Sequence, residues 1–353
     1  MNKLTEEQIA IVNATESKVL VEASAASGKT HTLIARLQHL IDTGANQRNI
    51  VAITFTNNAA AEMRSRLNGV TDMFIGTVHS YCNFLLAVGG VNTNDLISKE
   101  NFDELFNRIK LHPECVSEVD YLLVDEAQDS TAPQFEFFLK TLKPKNYMLF
   151  FDLRQSIYGF ANADPDFLIE LRHQPDVTRY PLTLNYRNGE DILEYAKDLI
   201  ASLGSEYYDR SMSMTNSFGE VHHCTLTMSQ VIDNIIRESD DPYGDWFILC
   251  RANKDVDTFV SLLNKRKIPC TTFKQGDLNN KEIHDRMKSN CVKVLTMHSS
   301  KGLESKNVIV WNPLPWLNPE ERRLCYVCAT RAKENLWWVR SGKSKKTRIR
   351  NWE

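Results

Sequence analysis

Apolar residues in this chain come in short runs, with no long stretch of apolar residues anywhere. Runs of about four to eight apolar residues, bounded by turn signals, suit strands covered on both faces. In the first half they fall at 18–22, 51–56, 74–78, 121–125 and 147–152. In the second half they fall at 219–226, 245–251, 291–297, 307–312 and 335–340. Helical patterning lies between most of them, as expected of an α/β protein whose crossover helices join parallel strands. The first run, KVLVE, leads into five small residues: Ala23, Ser24, Ala25, Ala26 and Ser27. Gly28, Lys29 and Thr30 follow, and a helix is predicted from Lys29 to Ile41. The fourth run ends abruptly in Asp125 and Glu126.

These two strand ends point to phosphoryl transfer. Small side chains let backbone N–H groups close around phosphate oxygens, and the helix that follows aims its positive end at the same anion. Lys29 would reach the β- and γ-phosphates of ATP, and the Thr30 hydroxyl would bind Mg²⁺. Two carboxylates at the end of a buried strand need a cation or a catalytic task. Asp125 would hold Mg²⁺, largely through water, and Glu126 would orient or deprotonate the attacking water.

Further segments follow in a fixed order: LTEEQ (4–8), ITFTNNAAAEMRSRL (53–67), IGTVHSY (75–81), VDEAQD (124–129), FDLRQSIYGF (151–160), LTLNYRN (182–188), VLTMHSSKGLE (294–304) and EERRLCYVCATRAKENL (320–336). They match the Q motif and motifs Ia, Ib, II, III, IV, V and VI. Over nearly its whole length the chain thus resembles the UvrD/Rep/PcrA-like superfamily 1 DNA helicases. The resemblance implies two RecA-like P-loop NTPase domains with parallel sheets, residues 1–180 and 181–353, and an ATP site in the cleft between them. Gln8 would read the adenine edge, Tyr186 would stack on adenine, and Glu304 would hydrogen-bond the ribose. Gln155 would sense the γ-phosphate, and Arg187 and Arg331 would act as arginine fingers, since a guanidinium donates bidentately to phosphate and stays charged. Outside these motifs, either arginine would read as a surface ion pair.

The same resemblance outlines a face for single-stranded DNA. Phe55, Tyr158 and Phe160 match positions where the family stacks bases on aromatic rings, although packing in the core is the plain alternative. Thr54, Thr56, Asn57, Thr77, His79, Thr296 and His298 would donate to backbone phosphates. Motif III reads QSIYGF, which implies 3′→5′ movement. Full-length relatives insert large subdomains between motifs Ib and II and between motifs IV and V. Here residues 88–118 fill the first site as a vestige, and the second lacks a comparable insertion. A compact motor of this kind fits an ATP-dependent helicase or translocase. It also fits a translocase that needs a protein partner to unwind single-strand/duplex junctions, or a nucleic-acid-binding module that has kept the fold without hydrolysis.

Several positions depart from the family pattern. The strict phosphate loop has Gly where this chain has Ala23, and many relatives also have Gly at positions 24 and 26. A Cβ at Ala26 is tolerated only at negative φ. His31 stands where close relatives often carry Arg. Motif III opens on Phe151 rather than Gly, and Ala161 replaces an Arg that often follows the aromatic.

Composition narrows the setting. The 353 residues suffice for two domains. Nothing approaches the ~20 apolar residues of a membrane span, and MNKLTEEQ has no signal-peptide core. A cytoplasmic, nucleoid-associated protein is expected, or one of the host cytoplasm if phage-encoded. The eight cysteines are scattered, and the Cys325/Cys328 pair lies inside motif VI without a second pair, so a zinc site is not indicated. With a net charge of −3, nucleic-acid affinity needs a local basic groove. The tail with Lys343, Lys345, Lys346, Arg348 and Arg350 offers either that or a solvated end.

Overall fold

The apolar runs of the first half become β1 (Lys18–Ala23), β2 (Ile50–Ile53), β3 (Phe74–Gly76), β4 (Tyr121–Val124) and β5 (Asn146–Phe151). A sixth strand, β6 (Thr178–Leu182), completes one sheet in the order β3-β2-β4-β5-β1-β6. All its pairings are parallel. The computed structural model describes residues 3–97, 104–237, 242–272 and 280–342. The basic tail lies outside them.

The inner strands are covered on both faces. Val19, Leu20 and Val21 of β1 are all buried, as are the four residues of β2. The helix α1 (Glu6–Val12) opens on a capping box between Thr5 and Gln8. The second helix, α2 (Lys29–Asp42), places Leu33, Leu37 and Leu40 on one stripe against the sheet. Thr56 caps α3 (Asn57–Arg66) and Thr77 caps α4 (Val78–Val88). Residues 88–118 contribute the short helices Asn94–Ile97 and Glu104–Leu111. The second of these buries Leu105, Phe106 and Ile109.

The chain divides into two compact units, Met1–Thr183 and Leu184–Glu353. A boundary at 180/181 would cut β6, so it moves to 183/184. β6 carries Pro181 and pairs on one side only, with β1. Proline is tolerated at a sheet edge, and its presence hid the strand from the apolar-run criterion.

The second unit begins with a two-stranded pair, β7 (Leu184–Asn185) and β8 (Met212–Ser213). Its main sheet comprises β9 (Glu220–Leu226), β10 (Trp246–Cys250), β11 (Cys270–Thr271), β12 (Val292–Thr296), β13 (Ser305–Trp311) and β14 (Ala332–Ser341). The order is β11-β12-β10-β13-β14-β9, again wholly parallel. Its core gathers Ile248, Phe259, Val294, Ile309 and Trp337. Among the described residues, no helix is long and apolar enough to cross a membrane.

Candidate nucleotide and DNA site

In a parallel sheet, every loop that follows a strand emerges at the same edge. In open α/β sheets ligands bind at that carboxyl edge. The loops after β1, β2, β3, β4 and β5 carry the phosphate loop, motif Ia, motif Ib, motif II and motif III respectively. The topology of the first unit therefore collects on one edge residues separated by more than a hundred positions in sequence.

At its centre stand two pairs. Lys29 Nζ lies 2.6 Å from Glu126 Oε1, with only 10% of the lysine side chain exposed. Thr30 Oγ1 donates to Asp125 Oδ2 at 2.9 Å. Burial pushes the Asp125 carboxyl up to about 6, against the pull of Lys29. Burial pulls on the Lys29 ammonium in the opposite direction, but Glu126 and Asp125 outweigh it and hold the pKa above its ordinary value. A compact cluster of one cation and two carboxylates is what the carboxyl edge presents to a phosphate.

The phosphate loop is anchored from both sides. Ser24 N–H donates to the Leu182 carbonyl at 2.9 Å. Gln8 Nε2 donates to the Ser27 carbonyl at 3.4 Å, while its Oε1 accepts from Thr5 N–H at 3.1 Å. In this state Gln8 thus ties α1 to the loop with both ends of its amide. Gly28 is the N-cap of α2 at φ +80, and a Cβ there would come within 2.9 Å of Gln8 Nε2. Ala23 and Ala25 are fully buried. Ser27 Oγ is buried without a hydrogen-bond partner, an orphaned donor at the mouth of a helix. Ala26 does not meet the condition of negative φ: it sits at φ +54, in the left-handed region. Glu126 does the same at φ +53. The loops after β1 and β4 thus each carry a non-glycine residue in the left-handed region.

The groups present fit Mg²⁺. A threonine hydroxyl and one carboxylate in mutual contact supply hard oxygen ligands, and Mg²⁺ takes its remaining ligands from phosphate and water. Among the described residues there is no cluster of three or more His, Cys, Asp or Glu that would make an all-protein metal cage. Cys325 and Cys328 are buried on the helix Pro319–Ala329.

The DNA candidates of the first unit adjoin these pairs. Thr54, Phe55, Thr77 and His79 line one cavity of about 60 Å³ together with Asp125 and Glu126. Phe55 is half exposed and stacks on Tyr158, with centroids 5.3 Å apart at 20°. Tyr158 is itself buried and meets the exposed Phe160 edge-on at 5.8 Å. The three rings form one platform: Phe55 and Phe160 are open, and Tyr158 backs them. Thr56 Oγ1 accepts from Ala59 N–H as the cap of α3, of which Asn57 is the first residue. Thr77 Oγ1 both accepts from Ser80 N–H and donates to Ser80 Oγ, so its proton is engaged within the fold. His79 packs against Phe106 at 5.6 Å. His31 Nδ1 lies 3.0 Å from Arg66 Nη2, so α3 brings a guanidinium beside the position where relatives often have Arg.

The second unit holds its candidates differently. Arg187 Nε meets Glu304 Oε2 at 2.6 Å, and Nη1 donates to the Thr330 carbonyl at 3.1 Å. Lys333 Nζ takes the other Glu304 oxygen at 2.7 Å. Burial pushes the Glu304 carboxyl up, but Arg187 and Lys333 overcome this and hold it at about 2. Glu304 is therefore engaged by two cations where the resemblance implied a ribose partner. Arg331 is only 2% exposed, and its nitrogens donate to the Val327 and Leu303 carbonyls and to Thr330 Oγ1. Tyr186 is half exposed. Thr296 Oγ1 shares a 2.8 Å hydrogen bond with Ser299 Oγ, and His298 is held neutral-leaning first by burial and then by Arg251.

Models of known families match this architecture. The UvrD/REP helicase N-terminal domain matches residues 4–106 and 91–176, and the UvrD-like helicase C-terminal domain matches 274–341. The chain belongs to the UvrD/Rep family of helicases. It is 24% identical to a probable DNA helicase of Mycoplasma pneumoniae, over 96% of this chain and 83% of that protein. It is 25% identical to the ATP-dependent DNA helicase PcrA of Staphylococcus aureus, over 81% of this chain, and similarly to that of Staphylococcus epidermidis. The chain spans about half the length of these PcrA relatives, 53% in the alignments.

Site residues outside the motif-based set also emerge for this member of the family. Gln128 and Asp152 are fully buried and hydrogen-bonded to Glu126 and Gln155. Arg154 reaches the Ala23 carbonyl, and Lys333 pairs with Glu304. The signal for the first three was a polar residue directly behind an apolar strand, inside motifs whose other members drew the attention.

Proposed function

We propose that this chain is an ATP-driven motor on single-stranded DNA that moves 3′→5′ and serves as a helicase or translocase. One observation carries the proposal: Asp125 and Glu126, the partners of Thr30 and Lys29, line one cavity with Thr54, Phe55, Thr77 and His79. A nucleotide-dependent change at Glu126 is then felt directly where a DNA strand would lie. The direction of movement is carried over from the QSIYGF sequence of motif III.

Lys29 leaves Glu126 for the β- and γ-phosphates, the backbone N–H groups of 25, 26 and 28 and Ser27 Oγ close on the same oxygens, and Thr30 and Asp125 would hold Mg²⁺. Bound there, the ion neutralises charge on the phosphate oxygens. Glu126, released from Lys29, orients water for in-line attack. Arg187 and Arg331 are assigned to the γ-phosphate, which requires Arg187 to exchange Glu304 for phosphate. Lys333 keeps Glu304 paired when it does so. Phe55 and Phe160 stack bases, and the binding and loss of the γ-phosphate alternate two grips on the strand.

ATP turnover with and without single-stranded DNA tests this, in the wild type and in Lys29→Ala. DNA-stimulated turnover that Lys29→Ala abolishes supports the motor, and absence of wild-type turnover in both conditions rejects it. A forked duplex then separates unwinding from translocation alone. Translocation without unwinding is favoured by residues 88–118, whose helix Glu104–Leu111 buries Leu105, Phe106 and Ile109.

A further inference from the structure

Glu126 has both carboxylate oxygens engaged. Oε1 faces Lys29, and Oε2 accepts from Gln128 Nε2 at 2.5 Å. Gln128 is fully buried, and its own Oε1 accepts from Asp152 N–H at 3.0 Å. Asp152, equally buried, binds Arg154 Nε at 2.5 Å and Gln155 Nε2 at 2.7 Å. Arg154 Nη2 then donates to the Ala23 carbonyl at 3.2 Å, where β1 becomes the phosphate loop. The circuit runs from Lys29 through Glu126, Gln128, Asp152 and Arg154 to Ala23. It closes on the loop that carries Lys29, lacing together the ends of three neighbouring strands, β4, β5 and β1.

Lys29 and Gln128 differ in kind as partners of Glu126. Lys29 carries a point charge on a flexible stem, and it is the group that a triphosphate draws away. Gln128 is neutral, enclosed and fastened at both ends, so phosphate does not compete for it. Glu126 also sits on strained backbone, where side-chain direction depends on its surroundings. On the ATPase reading above, on which this step rests, we infer that Gln128 is the positioning residue for Glu126. It holds the carboxylate in place once Lys29 has turned to nucleotide, and it joins Glu126 to motif III through the Asp152 N–H.

The test uses Gln128→Leu, which removes donor and acceptor at similar volume, and Gln128→Glu, which keeps the size but sets a like charge against Glu126. Both leave Lys29 and Thr30 intact. Expected is a fall in kcat of about 10²-fold, the cost of a small misplacement of a reacting group. KM for ATP and the Kd of a fluorescent non-hydrolysable ATP analogue should stay within about threefold, the signature of an interaction needed only in the transition state. Thermal unfolding of Gln128→Leu, Glu126→Gln and the double variant should be non-additive, as for groups in contact. Unchanged kcat in both variants, a Kd that worsens in step with kcat, or an additive cycle overturns the inference. Absence of wild-type turnover counts against the ATPase reading, and the cycle alone then decides whether Gln128 positions Glu126. If Gln128→Leu does not fold, Gln128→Glu carries the kinetic test and Gln128→Glu with Glu126→Gln carries the cycle.

Discussion

Each unit has its own parallel six-stranded sheet, yet the candidate phosphate residues lie at different ends of the strands in the two. In the first, Lys29, Thr30, Asp125 and Glu126 all follow the carboxyl ends of strands, beside the aromatic platform. In the second, Glu304, Arg331 and Lys333 cluster at the amino ends of β13 and β14, where Ser305 pairs with Ala332. Thr296 and His298 stand at the carboxyl end of β12, beside the Arg251–Glu321 ion pair that follows β10. The carboxyl edge of a parallel sheet offers helix N-termini, which suit an anion. The amino edge offers none, and there the charge comes from side chains, each steadied by carbonyls or a carboxylate. On the function proposed above, one fold would serve two tasks: the first unit would cradle phosphate, and the second would supply cations.

Arg187→Ala should break this division of labour most severely. An arginine finger contributes about 10³-fold or more to kcat, while nucleotide affinity should hold if the first unit binds alone. Parallel turnover and analogue-binding measurements check this, and a matched loss of affinity would erase the distinction. Lys29→Ala should lower turnover by at least about 10²-fold, as does loss of one preorganised donor to a reacting oxygen, and should also weaken analogue binding. Phe55→Ala should cost roughly 1–3 kcal/mol in single-stranded DNA affinity, read by fluorescence anisotropy, with DNA-free turnover unchanged. Unaltered affinity would return Phe55 to a packing role.

Two smaller effects probe the edges themselves. Ala26→Gly relieves left-handed strain of about 1–2 kcal/mol but gives back about 0.5–1 kcal/mol through a looser unfolded chain. A net gain of about 0.5–1 kcal/mol is expected in denaturant unfolding, and a loss would mean that the φ of +54 is tolerated without strain. Glu304 is depressed from 4.5 to about 2 in the folded state. A depressed carboxyl stabilises above its unfolded pKa and loses that contribution as pH falls through the folded value. The melting difference between wild type and Glu304→Gln should therefore be full above about pH 4.5 and shrink toward pH 2. A difference independent of pH would deny the pairing with Arg187 and Lys333.

The sequence by itself determined ten of the described strands, the parallel α/β plan, the small-residue loop that leads into α2, and the carboxylates behind β4. These are local patterns: covered strands read as apolar runs, and an anion cradle reads as small residues before a helix. It did not reveal β6, because an edge strand with Pro181 leaves no apolar run. Nor did it reveal the φ of +54 at Ala26, in a loop whose flanking Ser24 and Ser27 are tied to Leu182 and Gln8. Only the tertiary structure decided who partners whom: Glu126 with Lys29 and Gln128, Glu304 with Arg187 and Lys333, and Asp152 with Gln128, Arg154 and Gln155. A residue type announces the charge or hydrogen bond it can offer. Which neighbour accepts it depends on strand order and burial, and those are properties of the folded sheet.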